Sequence, residues 1–70
     1  MSTKKELIAA VQVVYSPDDG GYYGYAFKKD GSEIEGTTTS ILKTGTEALI
    51  EARKLAQTKG YNKFYVMPDH

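Results

Sequence analysis

Seventy residues without a cysteine make one small domain, residues 1–70, whose core must hold with no disulfide, thiolate zinc site or thiol nucleophile. Nine basic and nine acidic side chains cancel, which lowers the odds of non-specific attachment to nucleic acid, an attraction set largely by phosphate neutralisation. The charges are interspersed rather than blocked, and no apolar run approaches the ~18 residues of a membrane span.

The opening "MSTKKELIAAVQVVY" places lysines before an apolar run, as secretion signals do. Glu6 and Gln12 interrupt it, however, and it contains the best strand of the chain, so it reads as mature sequence. "LIAAVQVVY" (7–15) is rich in strand formers and apolar on both alternating faces except at Gln12, the pattern of a central strand. "SPDDGG" (16–21) is dense in turn formers. "YYGYAFKK" (22–29) puts Tyr23, Tyr25 and Phe27 on one face and Tyr22, Gly24, Ala26 and Lys28 on the other. An Asp-Gly turn signal follows, and "EIEGTTTS" (33–40) returns as a third strand with a bulge expected at Gly36. "TEALIEARKLAQTKG" (46–60) is a helix closed by Gly60, with Thr44 or Thr46 as N-cap; "KFYVM" (63–67) is a last strand stopped by Pro68.

The expected fold is therefore α+β in the order βββαβ. A three-stranded antiparallel meander is followed by a right-handed crossover helix and a fourth strand parallel to the first. One helix covers one face of the sheet. At ~100° per residue Ala48, Ala52, Leu55 and Ala56 share the buried side, with Leu49 and Gly45 at its edge. Ile50 lies roughly 170° from the centre of that stripe, among Thr46, Arg53, Lys54 and Gln57. With a single helix available, the second sheet face is left bare, and it falls among strands carrying most of the six tyrosines and two phenylalanines.

The whole chain resembles the first half of the ribonuclease H fold, which opens with the same βββαβ order. "VVYSPDDGGYYGYAFKKDGSEIEG" is similar to that family's first hairpin, and "ALIEARKLAQTKGYNKFYVMPDH" to its first helix and fourth strand. The family's chemistry uses carboxylates from the first strand, the first helix and the end of the fourth strand to hold paired Mg²⁺ ions. Here the first position falls on Ser16 or Pro17, with Asp18 and Asp19 displaced into the turn. The second falls on Gly45, and Glu47 points about 160° away from it. Only Asp69 matches, beside the single histidine, His70, so a residual metal site would have to draw on Asp18, Asp19, Asp69 and His70. "DDGGYYGYAF" with "IEGTTT" and a helix also resembles the HicB antitoxins, without their Pro-Asp-Leu-Pro-Gly-Cys-like segment. "TGTEALIEARKLA" resembles the helix of short bacterial domains of unknown function.

No nucleophile has a base beside it, and neither glycine-rich turn leads from a strand into a helix as phosphate loops do. The expectation is thus a non-enzymatic module with no cofactor and no metal, cytoplasmic, forming a homodimer or docking on a protein. The candidate contacts are Ile50 and Arg53 on the helix flank and Tyr23, Tyr25 and Phe27 on the sheet; a phage or mobile-element accessory or an antitoxin-like inhibitor would suit a chain of this size. The alternative is a single-stranded nucleic-acid or RNA-binding module stacking bases on Tyr22, Tyr23 and Tyr25, with Phe27 alongside and Lys28 and Lys29 at the phosphates. A vestigial metal-dependent nuclease is the third reading.

Overall fold

The computed structural model describes residues 7–66. Strand β1 (Ile8–Ser16) and strand β2 (Gly21–Lys28) form an antiparallel hairpin, helix α1 (Gly45–Thr58) follows, and strand β3 (Lys63–Val66) is the last described element. The sheet is three-stranded and mixed, in the order β2-β1-β3, with β3 parallel to β1. Met67, Pro68, Asp69 and His70 lie outside the described residues, and with them the one aspartate that matches the resembled family's carboxylate positions. No helix among the described residues is long and apolar enough to cross a membrane.

The expected third strand of a meander, residues 33–40, is corrected. Backbone pairing with β2 is intermittent: isolated bridges join Phe27 with Glu33 and, just past the segment, Tyr22 with Leu42, and the N–H groups of Ile34 and Thr39 donate to Ala26 O and Gly24 O at 2.9 and 2.8 Å. Gly36, at φ +82°, turns the chain where a strand would run straight. Threonine hydroxyls then fill the gaps in the backbone ladder. The N–H of Ala26 donates to Thr37 Oγ1 at 3.0 Å and that of Gly24 to Thr39 Oγ1 at 3.0 Å. The N–H groups of Tyr22 and Lys28 donate to Leu42 O and Ser32 O at 2.8 and 2.7 Å. Each outward-facing donor of β2 is satisfied, so this edge is closed without a strand.

Thr37 is fully buried and passes its own proton to Ile34 O at 2.7 Å. Thr37→Val keeps the shape but strands the Ala26 N–H and removes the donor to Ile34, so we expect a loss of roughly 1–3 kcal/mol. Urea unfolding checks this. Thr37→Ser should recover much of the loss, and an unchanged midpoint in Thr37→Val would show that the hydroxyl does not close the edge.

The helix begins at Thr44, whose side chain accepts the Glu47 N–H at 3.1 Å, and Glu47 sits favourably in the positive first turn. It ends in a Schellman arrangement: Gly60, at φ +96°, donates to Gln57 O at 3.0 Å, and Tyr61 donates to Ala56 O at 3.2 Å. Its inner face is Ala48, Ala52 and Ala56, all fully buried, with Leu49 and Leu55 half-buried beside them.

Ala52 and Ala56 meet Ala9, Val11 and Ala26 of the sheet, and Ile34 completes the core. Five of the seven buried hydrophobic residues among those described are alanine, so the helix lies unusually close to the strands. A Cβ placed on Gly24 would stand 2.8 Å from Ala48 O. None of the eight aromatic side chains is buried. The residues with the most apolar area to remove from water are the ones this fold leaves at least partly in it.

Candidate functional site

The hairpin register decides which side chains share a face. Val11 pairs with Ala26 and Val13 with Gly24, and these point at the helix; Ala10 pairs with Phe27, Gln12 with Tyr25 and Val14 with Tyr23, and these point away from it. In β3, Tyr65 pairs with Ala10 and joins the second group. No described helix or strand covers this second face, although the Ile41 side chain closes over buried Gly21 at its turn end. Its centre is a cross-strand pair in which the Tyr25 hydroxyl donates to Gln12 Oε1 at 3.1 Å, and the Tyr25 and Phe27 rings lie 5.9 Å apart. Tyr23, Tyr25 and Phe27 are half-buried, while Tyr65 is 54% exposed.

The two ends of the open face differ in charge. Lys29 continues the alternation of Tyr25 and Phe27 just beyond β2, and with Ile8, Ala10 and Tyr65 it frames a cleft of about 200 Å³. At the opposite end β1 runs into the turn that carries Asp18 and Asp19, both exposed; the Asp19 carboxylate accepts from the Ser16 hydroxyl at 2.8 Å. The face is therefore an apolar, aromatic strip with Lys29 and, by its pairing with Ile8, Lys63 at one end and two aspartates at the other.

Beside the lysine end, the next turn is held by Asp30, which accepts from the Ser32 hydroxyl at 2.6 Å and the Ser32 N–H at 2.9 Å. These two bonds, with a smaller contribution from the charge of Lys28, hold its carboxyl below the usual aspartate range. Because the folded value is the depressed one, the turn's stabilisation is complete above the unfolded aspartate pKa and is lost as pH falls through the folded pKa. A carboxyl-carbon NMR titration should find the Asp30 midpoint rising in Ser32→Ala; an unmoved midpoint would remove Ser32 as the cause.

The sequence-expected residues divide between surfaces. Tyr23, Tyr25 and Phe27 come together on the open face, and Lys29 joins them, whereas Tyr22 and Lys28 lie on the helix side. Tyr22 stacks there on Tyr15, with ring centroids 5.1 Å apart. The base-stacking set Tyr22, Tyr23, Tyr25, Lys28 and Lys29 is thus split by the sheet. Ile50, 44% exposed, borders a shallow depression with Arg53, Lys54 and Gln57, and the Arg53 guanidinium lies 5.7 Å from the Phe64 ring centroid. That flank is one isoleucine among two cations and an amide, and Arg53 already has an aromatic partner.

Ile8, Ala10, Gln12, Val14 and Tyr65 were not among the sequence candidates. The signal for the first four was the even-numbered face of "LIAAVQVVY", and for Tyr65 the alternation of "KFYVM", both interpretable only once the pairing with β2 and β3 is fixed. For the nuclease reading, Gly45 opens the helix with its α-carbon near Val13 and Tyr22, and Asp18 and Asp19 stay in the turn. Compared with known proteins, the chain matches no family model, no curated protein and no solved structure.

Proposed function

We propose that this protein is a non-catalytic interaction module that associates with protein through the open aromatic face of its sheet. One observation carries the reading: alanine fills the core while Tyr23, Tyr25, Phe27 and Tyr65 share a sheet face that no described helix or strand covers. Burial of apolar area stabilises by about 25 cal/mol per Å², so a chain that leaves its largest apolar side chains partly wet has its greatest remaining gain in covering them. Tyrosine fits such a surface, supplying wide rigid contact with a polar tip.

The Ile50 flank offers much less apolar continuity and is the weaker surface. Nucleic acid is the second reading, supported by the aromatic strip with Lys29 at its end. Asp18 and Asp19 at the other end and the zero net charge oppose a phosphate backbone laid along it.

Amide NMR spectra across a concentration series test the proposal. Shifts that grow with concentration should fall on the open-face residues of β1 and β2, with Val14, Tyr23 and Phe27 among them. Shifts confined to the neighbourhood of Ile50 would move the interface to the helix, and spectra independent of concentration would overturn self-association.

A further inference from the structure

We infer that the occupant of the open face is a second copy of this chain, packed sheet against sheet with its strands antiparallel and clamped at both ends by Lys29 against Asp18 and Asp19. This rests on the sheet-face reading above and adds the partner and the geometry.

The charge layout selects the arrangement. A two-fold axis lying between the sheets and perpendicular to the strands sets each strand over its own counterpart, running the opposite way. Lys29, at the far end of β2, then lies over the turn that leads into β2 of the second copy, where Asp18 and Asp19 stand. The same contact repeats at the other end. The alternative axis, along the strands, would bring like ends together, lysine near lysine and aspartate near aspartate, and that is repulsive. Stacked sheets sit about 10 Å apart, within the joint reach of a lysine and an aspartate.

The apolar residues agree with this register. Midway between Lys29 and Asp19 lies the row of Gln12 and Tyr25, so the axis passes through that hydrogen-bonded pair. Tyr23 and Val14 on one side of the row then meet Phe27 and Ala10 of the second copy. The cleft framed by Lys29, Ile8, Ala10 and Tyr65 lies beneath Ser16 and Pro17 of the other chain, and exposed Pro17 is an apolar plug for it. At about 3.3 Å per residue and about 4.8 Å per strand, strands of nine, eight and four residues present roughly 330 Å². Two copies therefore cover roughly 700 Å² before side-chain relief is counted, below standard-size interfaces and in the range of weak, transient association.

A charge-exchange experiment tests the inference by sedimentation equilibrium, with circular dichroism confirming that each variant is folded. Lys29→Glu faces Asp18 and Asp19 with a like charge at both ends, and the double variant Asp18→Lys, Asp19→Lys does the same to Lys29. Each alone should dimerise roughly tenfold to a hundredfold more weakly than the native chain. Mixed one to one, they pair opposite charges at both ends, and the mixture should regain near-native association. If Tyr25→Asp disrupts the dimer but the charge variants do not, or their mixture is no stronger than either alone, the antiparallel clamp is overturned while the sheet-face reading stands. A native dimer indifferent to Tyr25→Asp overturns both, and a native chain monomeric throughout overturns the second copy as occupant.

Discussion

Gly24→Val should abolish most of the stability of this domain. The helix rests on β2 at this point, and the first atom of any side chain would stand 2.8 Å from Ala48 O and 3.3 Å from the Ala52 Cβ. The obstacle is helix backbone, which cannot move without lifting the whole alanine face off the sheet. Overpacking of this kind costs typically 1–3 kcal/mol, and valine brings two further methyl groups into the same gap. A domain of this length has a total stability of about 4–10 kcal/mol, and each kilocalorie is worth about 4–8 °C in Tm. We therefore expect a fall of 15 °C or more, by roughly that scaling, in a thermal melt followed by circular dichroism. Gly45→Ala is the control: its added Cβ would lie at an ordinary 3.5 Å from Val13 Cγ1, at a helical position where alanine is favourable. A Gly24→Val melt within a few degrees of native would mean that the helix does not sit this close to the sheet.

Tyr25→Asp should have the largest effect on association and a small one on folding. Tyr25 is half-buried and meets its own chain on this face through Gln12 and Phe27, so the monomer keeps its core of Ala9, Val11, Ala26 and the three helix alanines. In the proposed dimer the same position lies at the axis, furthest from water. Each aspartate there would have to be desolvated beside its own symmetry copy, a buried like-charge contact with no compensating partner. We expect dimerisation weaker by a hundredfold or more, on the order of what losing a central anchor costs, read by sedimentation velocity at matched concentrations. Ile50→Asp should leave the dimer unchanged. If Ile50→Asp separates the copies and Tyr25→Asp does not, the interface is on the helix.

Much of the fold was legible because its residues obey simple periods. Alternation in "LIAAVQVVY" and "YYGYAF" marked β1 and β2, the alanine spacing marked the inner side of the helix, and Gly60 marked its end. The third strand was misread for a physical reason. Threonine raises strand propensity through its branched Cβ, but Thr37 and Thr39 act here through their hydroxyls, capping the edge of β2 after Gly36 has turned the chain. Propensity scores the branch and cannot see the hydrogen bond. The site was half legible. Tyr23, Tyr25 and Phe27 followed from period two alone, whereas Gln12, Ala10 and Tyr65 needed the register across three strands, and Lys29 needed the alternation to continue past the end of β2. The charge asymmetry of the face escaped the sequence because Lys29 and Asp19 are ten positions apart and become two ends of one surface only after the hairpin folds.

The central claim is that the bare aromatic face is covered by a second copy, and the mass in solution addresses it most directly. Light scattering on the native chain, from about 10 µM to about 1 mM, spans the range expected for an interface of this size. The mass should climb from 7.7 kDa toward twice that value, with the rise pushed to higher concentration by added salt because the end contacts are charged. A mass that holds at 7.7 kDa across the whole series would contradict it.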